Sequence, residues 1–116
     1  MEYISGGHLF SHVQSQGSFT ESKAKFYAAE IVLALGSLHT ANIAYRDMKP
    51  ENILMDKYGH LKLIDFGLAK MQMRGNQMTK SLVGTVEYMA PEVLQGLEYT
   101  KSCDWWGLGV VLYEMV

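Results

Sequence analysis

The sequence predicts an α+β fold, mostly helical with one short β-hairpin, and three stretches predict it. Thr20 followed by Glu21 reads as an N-cap opening a long helix through about Thr40, with Phe26, Ala29, Val32, Leu33, Leu35 and Leu38 recurring at helical spacing. Ile53-Leu54-Met55 and Leu61-Lys62-Leu63-Ile64 read as two short strands around the turn Asp56-Lys57-Tyr58-Gly59. A last helix begins near Asp104 and is apolar on all sides to Val116, the pattern of a deeply buried helix.

The remaining elements follow in chain order. The start, Met1-Glu2-Tyr3-Ile4, is extended; Gly6-Gly7 breaks the backbone, and Leu9, Phe10 and Val13 then suggest a short helix. Between the hairpin and the last helix, from Asp65 to about Thr85, the chain is polar, Met-rich and aperiodic, as a long surface loop should be. A loop of that length inside a compact domain is usually functional. No repeat, low-complexity run or Pro/Ser-rich linker divides residues 1–116, so one folding unit is expected. An all-apolar helix needs neighbours on every side, and the extended start needs strand partners. The chain is therefore expected to be part of a larger domain.

Composition narrows the function. With 116 residues, 48% hydrophobic and 19% charged, the chain has the make-up of an ordinary globular domain. A net charge of -2 gives no reason to expect nucleic acid or an acidic membrane as partner. The four His residues are scattered, without metal-ligand spacing. The lone cysteine, Cys103, fits a reducing compartment, so a cytoplasmic or nuclear location is expected. The longest apolar run, Trp105 to Val116, is shorter than the roughly 17–25 residues a membrane-spanning helix needs.

The chemistry concentrates in Tyr45-Arg46-Asp47-Met48-Lys49-Pro50-Glu51-Asn52, then Asp65-Phe66-Gly67, then Ala90-Pro91-Glu92. Asp47 and Asn52 lie on the loop between helix and hairpin; Asp65 ends the second strand, where it can return beside Asn52. A carboxylate and a carboxamide are hard oxygen ligands, suited to Mg²⁺ shared with substrate phosphates. Asp47 is then free to accept a proton from an attacking hydroxyl, and Lys49 can offset charge developing on a transferred phosphoryl group. Such a reaction needs mainly positioning and charge neutralisation. Each residue alone reads more simply: Asp65 as a turn residue, Lys49 as a surface charge, Asn52 as a turn former. Three motifs in order decide otherwise, because about a dozen specified positions at about one in twenty each leave chance negligible.

Together these motifs resemble the catalytic loop, magnesium loop and activation-segment end of the eukaryotic serine/threonine protein kinases. Tyr45-Arg46-Asp47, Gly84-Thr85-Val86-Glu87-Tyr88-Met89-Ala90-Pro91-Glu92 and Asp104-Trp105-Trp106 are similar to the AGC group, with the activation segment nearest the ribosomal-protein kinases. The resemblance covers essentially the whole chain and implies the mostly helical C-terminal lobe of a protein-kinase-like fold. By that resemblance Asp47 is the catalytic base, Lys49 the phosphate-contacting lysine, and Asn52 and Asp65 the Mg²⁺ ligands. Met1 falls at the gatekeeper position. Glu2 to Ile4 form the hinge that holds the adenine of ATP, so Glu2 and Ile4 are placed with Glu51 and Leu54 on the nucleotide side. Leu54 reads equally as plain core. Thr85 is expected to bond both Asp47 and Lys49, a mark of serine/threonine specificity.

Further expectations concern regulation and substrate. Ser81 aligns with the activation-loop phosphosite, with Thr79 a nearby competitor, and Arg46 and Lys70 are the cations expected to receive the phosphate. Protein substrates and an upstream activating kinase are the implied partners. Asp104 looks like the buried carboxylate that holds the catalytic-loop backbone, or else a helix N-cap. The family partner of Glu92, a downstream arginine, does not occur in this sequence. Nor does a Gly-rich phosphate loop or a Val-Ala-Ile-Lys strand, so three readings stand: a section of an active kinase, a pseudokinase scaffold, or an inactive truncated product. His8 occupies a position where AGC kinases usually carry a carboxylate; Glu51 and Glu114 match family carboxylates that face another substrate arginine.

Overall fold

Thr20 does open the long helix, its hydroxyl accepting the Lys23 backbone N–H at 3.2 Å. The computed structural model describes residues 7–71, 73, 78–80 and 82–116. The helices are α1 (Leu9–Gln16), α2 (Glu21–Thr40), α3 (Pro91–Leu94) and α4 (Cys103–Met115), with 3₁₀ turns at Pro50–Asn52 and Val86–Tyr88. Strands β1 (Ile53–Met55) and β2 (Leu61–Leu63) pair antiparallel, Ile53 opposite Leu63 and Met55 opposite Leu61. Their turn is closed by Asp56, whose Oδ1 accepts the Tyr58 and His60 N–H groups, and by Gly59 at φ 85°. The expected α+β arrangement, mostly helical with one short hairpin, is what the chain forms.

Two apolar faces differ from expectation. The buried stripe of α2 is Ala24, Tyr27, Ile31 and Leu35, a clean i, i+3, i+4 series. Phe26, Ala29, Val32 and Leu33 were expected in that stripe but lie exposed, Leu33 at 72%. The helix carries two apolar faces, and the hairpin and α4 pack on only one of them. Likewise α4 buries a single stripe, Cys103, Asp104, Gly107, Val111 and Met115, while Trp105, Trp106 and Tyr113 stand at the surface. The core gathers Ile31, Leu35, Tyr45, Met48, Ile53 and Val111 where α2, α4 and the hairpin meet, so the loop 45–49 is anchored in it through Tyr45 and Met48.

Residues 65–85 carry no helix or strand among the described residues, as the composition predicts. Two isolated bridges pin this segment: Ala44 opposite Lys70, and Thr79 opposite Tyr99.

Candidate active site

Two glycines and one carboxylate fix the loop 45–49. A Cβ at Gly107 would lie 2.8 Å from Met48 Cβ, so α4 packs directly on the loop. On the other side Gly84, at φ 112°, passes so close that a Cβ would sit 2.8 Å from the Arg46 carbonyl oxygen. Asp104, 2% exposed, reaches from the first turn of α4 and accepts the Tyr45 N–H on Oδ2 and the Arg46 N–H on Oδ1, both at 2.8 Å. The N-cap position belongs to Ser102, so the N-cap reading of Asp104 is set aside. These bonds hold Arg46 in the left-handed region, φ 67°, which a non-glycine residue keeps only when its surroundings impose it.

Arg46 in turn aims its neighbour. Asp47 is 7% exposed, and its Oδ2 accepts Asn52 Nδ2 at 2.7 Å while its carbonyl takes the same nitrogen at 2.9 Å. Its Oδ1 is buried without a hydrogen-bond partner, 3.7 Å from Lys49 Nζ. An unsatisfied buried acceptor costs free energy and so calls for a reason. Lys49 Nζ donates to Thr85 Oγ1 at 2.9 Å. Thr85 therefore meets Lys49 but not Asp47, neither of whose carboxylate oxygens bonds the hydroxyl. A shallow cleft opens beside Asp47, bounded by Thr85, Tyr88, Val93, Tyr99 and Cys103.

The hairpin brings the second carboxylate home. The Asn52 carbonyl accepts the Ile64 N–H at 2.9 Å, which places Asp65 next to Asn52 along the sheet edge. Asp65 is exposed, at φ 58°, and its Oδ1 accepts the Gly67 N–H. Both Asn52 bonds to Asp47 use Nδ2, so the carboxamide Oδ1 is turned to the other side. A carboxamide oxygen not engaged by Asp47, near an exposed carboxylate, fits a cation that takes one or two protein ligands and completes its shell with phosphates and water. Among the described residues no group of three or more His, Cys, Asp or Glu forms a self-contained metal cluster. Tyr45 ties the two loops together: its hydroxyl donates to the Ile64 carbonyl and its ring meets the Phe66 edge at 5.5 Å. Burial first, then the Asp47, Asp65 and Asp104 charges, raise its phenol well above the ordinary value, so it remains a donor.

The other expected residues divide. Leu54 lies half-buried on the hairpin face opposite the core, between buried Ile53 and Met55, which removes the plain-core reading. Glu51 is exposed, and its carbonyl accepts His8 Nδ1 at 2.8 Å. His8 thus touches the catalytic loop and is more than a bare turn residue. Glu114 accepts the Tyr88 hydroxyl at 2.7 Å. Arg46 donates from Nε to the Leu68 carbonyl at 2.8 Å and from one terminal nitrogen to the Tyr99 hydroxyl at 3.3 Å, while Lys70 is exposed one bridge away. Met1, Glu2, Ile4 and Ser81 lie outside the described residues.

Sequence reasoning missed His39 and Tyr99. His39 Nε2 donates to Asp104 Oδ2 at 2.8 Å across 65 positions, a pairing that no local pattern announces. Gly107 did carry a signal, since a glycine inside a helix often marks close backbone approach.

A loop carboxylate paired with a carboxamide, a lysine ordered by a threonine, and a buried aspartate holding the loop backbone are the site of a protein kinase domain. The model of that family, described as protein kinase domain, matches residues 1–116, and the chain belongs to it. Among its relatives are the serine/threonine-protein kinase akt-2 and the ribosomal protein S6 kinase beta of Caenorhabditis elegans, 52% and 53% identical over the whole chain. The serine/threonine-protein kinase Sgk1 of Homo sapiens is 55% identical over the same span. These are kinases of the AGC group, as the motifs led us to expect; their similar identities single out no one branch. The chain spans 22%, 21% and 27% of the lengths of these three relatives.

Proposed function

We propose that this chain is the section of a serine/threonine protein kinase running from the hinge to the Trp105-Trp106 helix, within a longer catalytic domain. The whole transfers the γ-phosphoryl group of ATP to Ser and Thr hydroxyls of protein substrates. The observation that carries the proposal is Asp47: one oxygen held by Asn52, the other buried, unbonded and beside Lys49. The substrate hydroxyl oxygen bonds to the γ-phosphorus as the bond to the ADP oxygen breaks, and its proton goes to Asp47 Oδ1. Lys49, steadied by Thr85, offsets the charge of the phosphoryl oxygens.

Asn52 and Asp65 would hold Mg²⁺. When bound, the ion neutralises phosphate charge. Leu54, on the free hairpin face, suits the underside of an adenine, with Glu2, Ile4 and Glu51 completing the nucleotide side. Arg46 and Lys70 stand ready for a phosphate on Ser81, added by an upstream kinase. The intact protein, given Mg²⁺ and ATP labelled on the γ-phosphoryl group, should label peptides whose sole acceptor is Ser or Thr. It should leave Tyr peptides unlabelled; no label on any peptide would refute the proposal.

A further inference from the structure

We propose that Tyr99 is a positioning residue for the catalytic loop: its phenol orients the Arg46 guanidinium while the activation segment lacks phosphate. Phosphate on that segment then takes over. The inference rests on the kinase reading above and adds to it a residue that none of the motifs contains.

Arg46 sits beside the catalytic carboxylate in a left-handed conformation, so anything that steadies it steadies Asp47. Two of its five side-chain N–H groups are committed, one to the Leu68 carbonyl at 2.8 Å and one to the Tyr99 hydroxyl at 3.3 Å. The first is short and ties Arg46 to the segment after Asp65-Phe66-Gly67. The second is long, near the limit of a hydrogen bond, and joins a cation to a neutral oxygen. A phosphate oxygen, charged and multiply accepting, would outcompete it.

Tyr99 is placed to register that exchange. It is 3% exposed, and both its backbone groups pair with Thr79, at 2.9 and 2.8 Å. Its main chain therefore holds the activation segment while its side chain holds the cation that a segment phosphate would engage. Each end of the residue touches one partner of the future contact.

The test compares wild type and Tyr99→Phe in the intact kinase, each prepared phosphatase-treated and loop-phosphorylated. Losing a bond to a charged group should lower kcat of the unphosphorylated variant roughly five- to twentyfold, with KM for ATP unchanged. In the phosphorylated variant kcat should stay within about twofold of wild type, because phosphate supplies the missing acceptor. Hydrogen exchange at the Thr79 and Tyr99 amides should match wild type, showing that the bridge is intact. Equal losses in both states would make Tyr99 a packing residue and overturn the proposal; no loss in either state would overturn it too. A wild type inactive in both states would refute the kinase reading itself, a result distinct from either of these.

Discussion

Removing the Asp104 carboxylate should loosen the catalytic loop before it unfolds the core. In Asp104→Ala, the Tyr45 and Arg46 N–H groups lose their acceptor, each at a cost of about 1–3 kcal/mol. The part-buried His39 Nε2 loses its acceptor as well, whereas the left-handed strain of Arg46, about 1–3 kcal/mol, is already carried by the wild type, and loop relaxation relieves part of it. The net expectation is a loss of about 3–5 kcal/mol, a large share of the roughly 5–15 kcal/mol that holds a domain. Asp104→Asn keeps one oxygen and should lose about half as much, because its amide nitrogen faces donors instead of accepting from them. Urea unfolding of the full catalytic domain measures the total. Amide exchange at Tyr45 and Arg46 localises it. An Ala variant within about 1 kcal/mol of wild type, with those two amides still protected, would refute the reasoning.

Burial, then the Asp104 and Glu92 charges, push the Cys103 thiol from its ordinary 9.0 up to about 12, with Arg46 pulling it down. The unfolded chain ionises first, so this contribution is complete below pH 9 and is lost between 9 and 12; Cys103→Ala should show a shallower decline in urea midpoint over that window, and an identical slope would contradict the cause. Activation should place phosphate on Ser81 rather than Thr79, whose backbone is locked in two bonds to Tyr99; mass spectrometry finding phosphate on Thr79 alone would sink that assignment. His8→Glu trades a donor to the Glu51 carbonyl for an outward carboxylate. It should strengthen preference for a basic residue upstream of the acceptor by a fraction of the ~1.5–3 kcal/mol of a charge-assisted hydrogen bond, and indistinguishable peptide arrays would leave His8 a structural contact only.

Local signals read well in this sequence. Thr20 marked α2, Asp56 to Gly59 marked the hairpin turn, and the three motifs singled out Asp47, Lys49, Asn52 and Asp65, which the fold sets on neighbouring loops. The buried face of α2 did not read correctly, because Phe26 and Leu33 on one stripe are as apolar as Ile31 and Leu35 on the other. Only the positions of the hairpin and α4 choose between them. His39 and Tyr99 were silent for a different reason. Each has a side chain tied to a residue more than fifty positions away, which leaves no periodicity and no motif. The sequence resemblance placed Thr85 against both Asp47 and Lys49, but the hydroxyl reaches the lysine only.

The measurement closest to the central claim is the effect of Asp47→Asn on turnover and on nucleotide affinity, taken together in the intact kinase. Asparagine keeps the shape and the contact with Asn52 but cannot take the hydroxyl proton. The account predicts a fall in kcat of roughly the 10²–10⁴ that follows loss of a general base, with Kd for Mg²⁺-bound ATP unchanged. If turnover of bound ATP survived the substitution while nucleotide binding was lost, Asp47 would belong to the nucleotide site, and the role assigned to it would be wrong.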